Sequence, residues 1–303
     1  MSRDAAQPAD ATTVATASMA GTRAAPGALP RSALAVETAG AWREWWRAER
    51  APLRWRAADA RLADAVRWRA TAPGVEVGEA RVSGTGEAWR LRVIAVRLDP
   101  ARVALRLHTR ADADGRIQPW TVGDAPDDAL VALNAGQFDR FGPWGWVVRD
   151  GVELRPPGRG PLAPAVVVDT AGRVRLVPAE RTAFQSYPAI LLGDGDVPAA
   201  LQGSGGGVDV GHRDARLALG TLPDGRVLVA LTRFEGLGGV LDVIPFGLTV
   251  PEMAAVMGAL GARRAVLLDG GISGQLLVRE RGARRAWDGL RDVPLGLIAT
   301  PRD

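Results

Sequence analysis

Residues 249–277 read TVPEMAAVMGALGARRAVLLDGGISGQLL. The run predicts a helix, a buried strand, a tight glycine turn and a second strand. Thr249 is placed to cap the helix, Glu252 three residues later closes a reciprocal capping box, and Pro251 sits in the first turn. Met253, Val256, Met257 and Leu260 share one face at helical spacing. Gly261 ends the helix, because glycine enters the left-handed conformation without penalty. Ala265 to Leu268 is short and apolar, the pattern of a strand buried on both faces. It runs into Asp269-Gly270-Gly271. A carboxylate there has two readings. It binds the amides of its own turn, or it faces a pocket where the glycines let a ligand approach the backbone closely.

Composition sets the outer bounds. The chain has 303 residues, enough for one large domain or two small ones, and 47% hydrophobic residues, ample for a core. It has no cysteine, so neither a disulfide framework nor a thiolate metal site is available. All 38 basic residues are arginine, and they alternate with Asp and Glu to leave a net charge of only +4. That is a mixed-charge surface, not a phosphate-tracking stripe, so no nucleic-acid partner is expected. No apolar run is long enough to span a bilayer as a helix. Residues 1 to about 38 are small and polar, predict disorder, and show no compact apolar core of a signal peptide.

Residues 39–72 are rich in Trp and Arg. Trp42, Trp45 and Trp46 fall on one helical face and Leu62 and Val66 on another, which predicts two helices separated by Pro52. From residue 73 to 303 the pattern changes to strands. Val75, Val77, Ala80 and Val82, then Trp89 to Val93, then Val103 to Leu107, carry strand patterning. Asp112, Asp114 and Gly115 hint at a calcium loop, but no Glu follows at the twelfth position and a solvated turn is expected. Leu130 to Leu133 is a buried strand that leads into Asn134-Ala135-Gly136-Gln137-Phe138-Asp139. Asn134 is the only asparagine in the chain. Its amide offers two donors and an acceptor, suited either to a sugar hydroxyl or phosphate oxygen or to a left-handed turn. Trp144 and Trp146 follow, then an Asp150-Gly151 hairpin. Further strands are predicted at Ala165 to Val168, Val174 to Val177, Val227 to Leu231 and Val293 to Ala299. Asp194 and Asp196 leave a divalent cation open, with no clear ligand set and no cofactor called for. The run Gly203 to Gly207 lacks the flanking strand and helix of a dinucleotide fingerprint.

Four stretches taken in order carry a family resemblance: Asn134–Phe138 (NAGQF), Tyr187–Gly195 (YPAILLGDG), Arg216–Gly220 (RLALG) and Leu267–Gly271 (LLDGG). Together they resemble the phosphodiester glycosidase domain family over residues 73 to 299. Gln137, Asp139 and Leu217 depart from the family pattern. The resemblance implies an α+β fold, with one mixed-sheet domain of many strands and few helices. It also implies hydrolysis of a sugar-1-phosphodiester, small or glycan-borne, to sugar and phosphomonoester. Residue by residue, it implies Asp269, Arg216 and Asn134 as catalytic. Gly136, Phe138, Gly195, His212, Gly270, Gly271 and Ser273 would contact substrate. Asp269 fits a carboxylate beside an oxocarbenium-like carbon, and Arg216 a phosphate clamp. Asp139, Asp209, Asp214 and Glu235 are candidates for a second carboxylate. A glycan-binding domain that keeps the fold without the chemistry is the alternative. Oligomeric state is not readable. Convergence of Asn134, Arg216 and Asp269 on one cleft is the structural expectation.

Overall fold

The computed structural model describes residues 28–111, 117–139, 142–149, 151–160, 162–168, 174–177, 184–203, 205–236 and 243–302. Two large sheets dominate. Their strands are β1 (Ala33–Thr38), β2 (Ala41–Arg47), β3 (Arg67–Ala72), β4 (Val75–Gly84), β5 (Leu91–Leu98), β6 (Val103–His108) and β7 (Val131–Asn134). They continue with β8 (Ala189–Leu191), β9 (Leu217–Thr221), β10 (Val227–Phe234), β11 (Arg264–Leu267), β12 (Leu276–Glu280), β13 (Ala283–Trp287) and β14 (Gly296–Pro301). The first sheet is nine-stranded, in the order β8-β11-β9-β10-β5-β4-β1-β2, with β3 also on β4. The second runs β13-β12-β7-β14-β6, and its ladders, like those of the first, are antiparallel. A smaller five-stranded sheet gathers the strands between Val147 and Gln185.

The first sheet is the middle layer, and strand alternation sorts its side chains into two cores. Leu228 and Ala230 of β10 and Ala265 and Leu267 of β11 face the helix α2 (Val250–Ala259). Val229 and Leu231, with Val266 and Leu268, face the second sheet. Strands covered on both sides read as continuous apolar runs, which is why Ala265 to Leu268 shows no polar alternation. The helix forms as expected. The Thr249 hydroxyl accepts from the Glu252 amide, and the Glu252 carboxylate accepts from the Thr249 amide at 2.8 Å.

The Trp/Arg-rich segment is not a pair of helices. It forms β2, a short turn, the single helical turn α1 (Ala60–Ala63) and β3. The register between β1 and β2 slips between Leu34 and Ala35, so that Trp46 and Glu44 face consecutive residues and Trp45 is the extra residue of a bulge. A bulge lets neighbouring residues face one side, so Trp45 and Trp46 are both buried while Trp42 stays exposed. A strand with a bulge thus mimics the three- and four-residue spacing of a helix. The expected disorder up to residue 38 is corrected in part: Ala33–Thr38 is β1, seated on β4 with Leu34 and Val36 in the core. Residues 1–27 and Asp112, Asp114 and Gly115 lie outside the described residues.

Trp55 packs on α2 at Gly258, where a β-carbon would overlap the indole ring. Alanine there gains roughly 1 kcal/mol of helix propensity. It also overpacks a buried contact, which costs about 1–3 kcal/mol. Because the ring is buried and backed by Trp45, overpacking should win. Gly258→Ala is expected to lower the thermal midpoint. A raised midpoint would show that Trp55 is free to move.

Candidate active site

The site is built where β11 ends. Asn134, the last residue of β7 and fully buried, reaches across from the second sheet. Its Nδ2 donates to the Asp269 carbonyl at 2.7 Å, and its Oδ1 accepts from the Gln275 amide at 2.8 Å. The Asp269 amide donates to the Gly136 carbonyl at 3.1 Å. The NAGQF and LLDGG stretches are therefore one hydrogen-bonded unit. Gln137 belongs to it too. Its Oε1 accepts from the Tyr187 amide at 2.9 Å and from the Ser186 hydroxyl at 3.0 Å, so this departure from the family pattern has a structural use.

The two glycines admit the chain itself. Gly270 lies against the Ala215 carbonyl, too close for a side chain, and the Gly271 amide donates to that same carbonyl at 2.7 Å. Gly271 has φ +56°, and a β-carbon there would stand 2.7 Å from Oδ2 of Asp214. This close approach brings a second carboxylate beside Asp269. Burial pushes Asp269 up to about 6, helped by the charge of Asp214 and opposed by Arg291 and by the Ser273 hydroxyl, which donates to it. Burial likewise pushes Asp214 above the usual carboxylate range, against the pull of Arg216 and His212. Exposed His212 stands at the mouth, with Nε2 3.9 Å from Asp214 Oδ2.

Arg216 lies near Asp214, but its fork is engaged. Nε donates to the Leu248 carbonyl at 2.8 Å and Nη2 to the His212 carbonyl at 2.6 Å. It latches two loops together with its charge facing Asp214, and burial lowers its pKa against that attraction. Arg291, absent from the sequence expectations, lies with its guanidinium 4.5 Å from the Phe138 ring centre and close enough to Asp269 to favour the carboxylate. Nothing local marks Arg291 in a chain so rich in arginine. Its place follows only from the folding of the 288–293 loop onto Phe138.

Asn134, Gly136, Gly270, Gly271 and Ser273 thus share one contact network with Asp269, which Asp214 joins to His212 and Arg216, and Arg291 joins to Phe138. Gly195 does not join them. It bonds Arg263 at the opposite end of β11 and packs against the Trp55 carbonyl, where a side chain would not fit. Of the other acids, Glu235 binds Arg81 and Arg92, and Asp209 caps the amides of Gly211 and His212. Asp139 is exposed at the end of the short strand Phe138–Asp139. Asp196 is paired with Arg54. Trp146 donates to Glu153 at 2.7 Å, and Trp144 packs edge-on to Tyr187. Among the described residues no group of three His, Asp or Glu side chains is arranged to hold a metal ion.

Comparison with known proteins gives the same direction. No curated protein matches the sequence. The catalytic domain of zebrafish N-acetylglucosamine-1-phosphodiester alpha-N-acetylglucosaminidase, auto-inhibited by pro-peptide, superposes with a TM-score of 0.58 at 17% identity. The match covers 81% of this chain and 87% of that one. A hypothetical protein from Synechocystis matches with a TM-score of 0.48 at 16% identity, over 78% of this chain and 64% of that one. At 17% identity the zebrafish likeness speaks to fold alone. The phosphodiester glycosidase family matches residues 127–300, more than half of the chain, and spans Asn134, Arg216 and Asp269. The chain belongs to the phosphodiester glycosidase family.

Proposed function

We propose that this protein hydrolyses the glycosidic bond of a sugar-1-phosphodiester, releasing the free sugar and a phosphomonoester. The observation that carries this reading is the pair Asp269 and Asp214, two half-buried carboxyls held together at the family's glycine turn. Water attacks the anomeric carbon, the bond from that carbon to the phosphate oxygen breaks, and the phosphate leaves with the electron pair. A phosphate leaving group needs little protonation, so the demand falls on the other face. A carboxylate there takes the water's proton and stabilises the oxocarbenium-like carbon. Asp269 in its charged form fits that role, and a pKa near 6 makes it a useful base at neutral pH. Asp214 is the second carboxylate. Arg291 is placed to balance the charge on the phosphate. Arg216 and Asn134 act as positioning residues, the first through the 212 and 248 loops and the second through the backbone of Asp269. N-acetylglucosamine is the sugar that the zebrafish relative's name suggests.

Asp269→Asn keeps the shape and removes the charge. We expect a fall in kcat of about 10²–10⁴-fold for a sugar-1-phosphodiester. Near wild-type turnover in a folded variant would return Asp269 to the role of a turn residue. The stability consequence has the opposite sign. The folded pKa of Asp269 lies above the unfolded value, so the folded chain binds this proton more tightly. The stability gained is full below about pH 4 and is lost as pH rises through about 6. Chemical denaturation across that window should therefore show a decline in the wild type that Asp269→Asn lacks.

The pH dependence of kcat/KM should carry an acidic limb near 6, because the base is inactive when protonated. Asp214→Asn removes a like charge and should move that limb to lower pH. A limb that stays in place would separate the two carboxyls. Arg291→Gln is expected to raise KM several-fold with a smaller effect on kcat, since its charge meets the phosphate in substrate and transition state alike.

A further inference from the structure

Arg233 is a buried arginine, 3% exposed, that the reaction proposed above does not use. It stands near the end of β10, next to Thr232. Strand alternation puts Arg233 on the side of Val229 and Leu231, toward the second sheet, and Thr232 on the other. Thr232 holds the segment that carries Asp214. Its Oγ1 accepts from the Arg216 amide at 2.7 Å, and its amide donates to the Arg216 carbonyl at 2.8 Å. Arg233 holds the other half of the site. Its Nη2 donates to the carbonyl of Gly274, to that of Asp288 at 2.9 Å and to that of Trp287 at 3.4 Å. A guanidinium is costly to bury unless its donors are met. Here they are met by two segments of the site itself. Gly274 closes the turn that begins at Asp269, and Asp288 opens the loop that carries Arg291. Both residues lie outside the strands, so a side chain makes the link that a ladder makes elsewhere.

The loop from 288 to 293 then follows that turn closely. The Leu290 amide donates to the Ile272 carbonyl at 2.6 Å, and Nε2 of Gln275 donates to the Arg291 carbonyl at 3.4 Å. A β-carbon on Gly289 would stand 3.0 Å from the Ile272 carbonyl oxygen and 3.1 Å from that of Ser273. At the far end, Val293 exchanges two backbone bonds with Trp120, each of 2.9 Å. The loop is thus pinned at its start, middle and end, and the pin at the start is a buried cation. Arg291 extends from the middle of this loop over Phe138. Its interaction with Asp269 weakens with distance, so a shift of the loop changes how far the charged carboxylate is favoured.

We propose that Arg233 is a positioning residue: by binding the carbonyls of Gly274 and Asp288 together, it holds Arg291 in register with Asp269, so that one guanidinium serves both the carboxylate and the phosphate of the substrate. The part played by the phosphate rests on the function proposed above. The link from Arg233 through Arg291 to Asp269 stands without it.

Arg233→Lys is the probe, because it keeps the charge and loses the planar fork. The groups that face Asp269 are Asp214, Arg291 and the Ser273 hydroxyl. Of these Arg291 favours the charged form, so a displaced Arg291 raises the midpoint of Asp269. In the first measurement, the full chain labelled with carbon-13 at its aspartate carboxyls is titrated by NMR, and the Asp269 signal is assigned by its loss in Asp269→Asn. Arg233→Lys should raise the midpoint in the same direction as Arg291→Gln, and should change nothing further in the Arg291→Gln background. An unmoved midpoint, or a rise that adds in full to that of Arg291→Gln, overturns the proposal. In the second, the pH profile of kcat/KM is compared on a sugar-1-phosphodiester. Arg233→Lys should raise KM several-fold and move the acidic limb upward. A loss of kcat alone, with the limb in place, would leave Arg233 with a role in the fold only. If the wild type cleaves no such substrate, the catalytic reading fails, and the NMR titration still decides the link. Should Arg233→Lys fail to fold, Arg233→Gln, whose amide still donates, replaces it, and amide exchange in the wild type decides independently. The Leu290 amide should exchange at least about a hundredfold more slowly than in an unstructured chain. Free exchange there would show that the loop is not held and overturns the proposal.

Discussion

The buried amide of Asn134 is the tie on which the site depends. It spans the gap between the sheets at one point, giving a hydrogen to Asp269 on the first sheet and accepting one from Gln275 on the second. Both partners are backbone groups, and loss of the amide would leave each without its bond in a closed interior, at about 1–3 kcal/mol apiece. The tie fixes the direction of the 269–275 turn. That direction lets Gly270 and Gly271 accept the 214–216 segment so closely. Asp269 and Asp214 meet because their backbones are packed together by glycine, and no direct bond between the two carboxyls is needed.

The same arrangement opposes itself energetically. Burying two carboxyls side by side raises the cost of charging either, which is why both are displaced upward. Arg216 and Ser273 offset part of that cost, yet Arg216 spends its fork on the carbonyls of His212 and Leu248. Burial thus holds Asp269 above the usual carboxylate range despite the Ser273 hydroxyl and Arg291. A purely structural turn gains nothing from that, whereas a base working near neutral pH requires it. The adjoining helix is the contrast. Glu252 is fully buried but accepts from Thr249, Ser32 and both Nη groups of Arg213, so its interactions are complete and serve the fold.

Features set by local chemistry were legible in the sequence. The capping box at Thr249 and Glu252, the stop at Gly261 and the strand into Asp269 depend on neighbours within a few residues, and all are present. The lone Asn134 was legible as unusual, whereas its bonds to the backbone of Asp269 and Gln275 were not. What could not be read depends on distant packing. The bulge at Trp45 arises from the pairing of β2 with β1 and turned a strand into an apparent helix. Asp214 is one of four acids that the sequence offers equally, and only the folded chain sets Gly271 against it. Arg291 meets Phe138 from far along the chain, and no spacing announces it.

In the proposed reaction the bond broken lies between the anomeric carbon and the phosphate oxygen. Hydrolysis of a sugar-1-phosphodiester in oxygen-18 water, followed by mass spectrometry of both products, tests it directly. The account predicts the label in the anomeric hydroxyl of the released sugar and none in the phosphomonoester. Label in the phosphate would place the attack on phosphorus and contradict the roles given to Asp269 and Asp214.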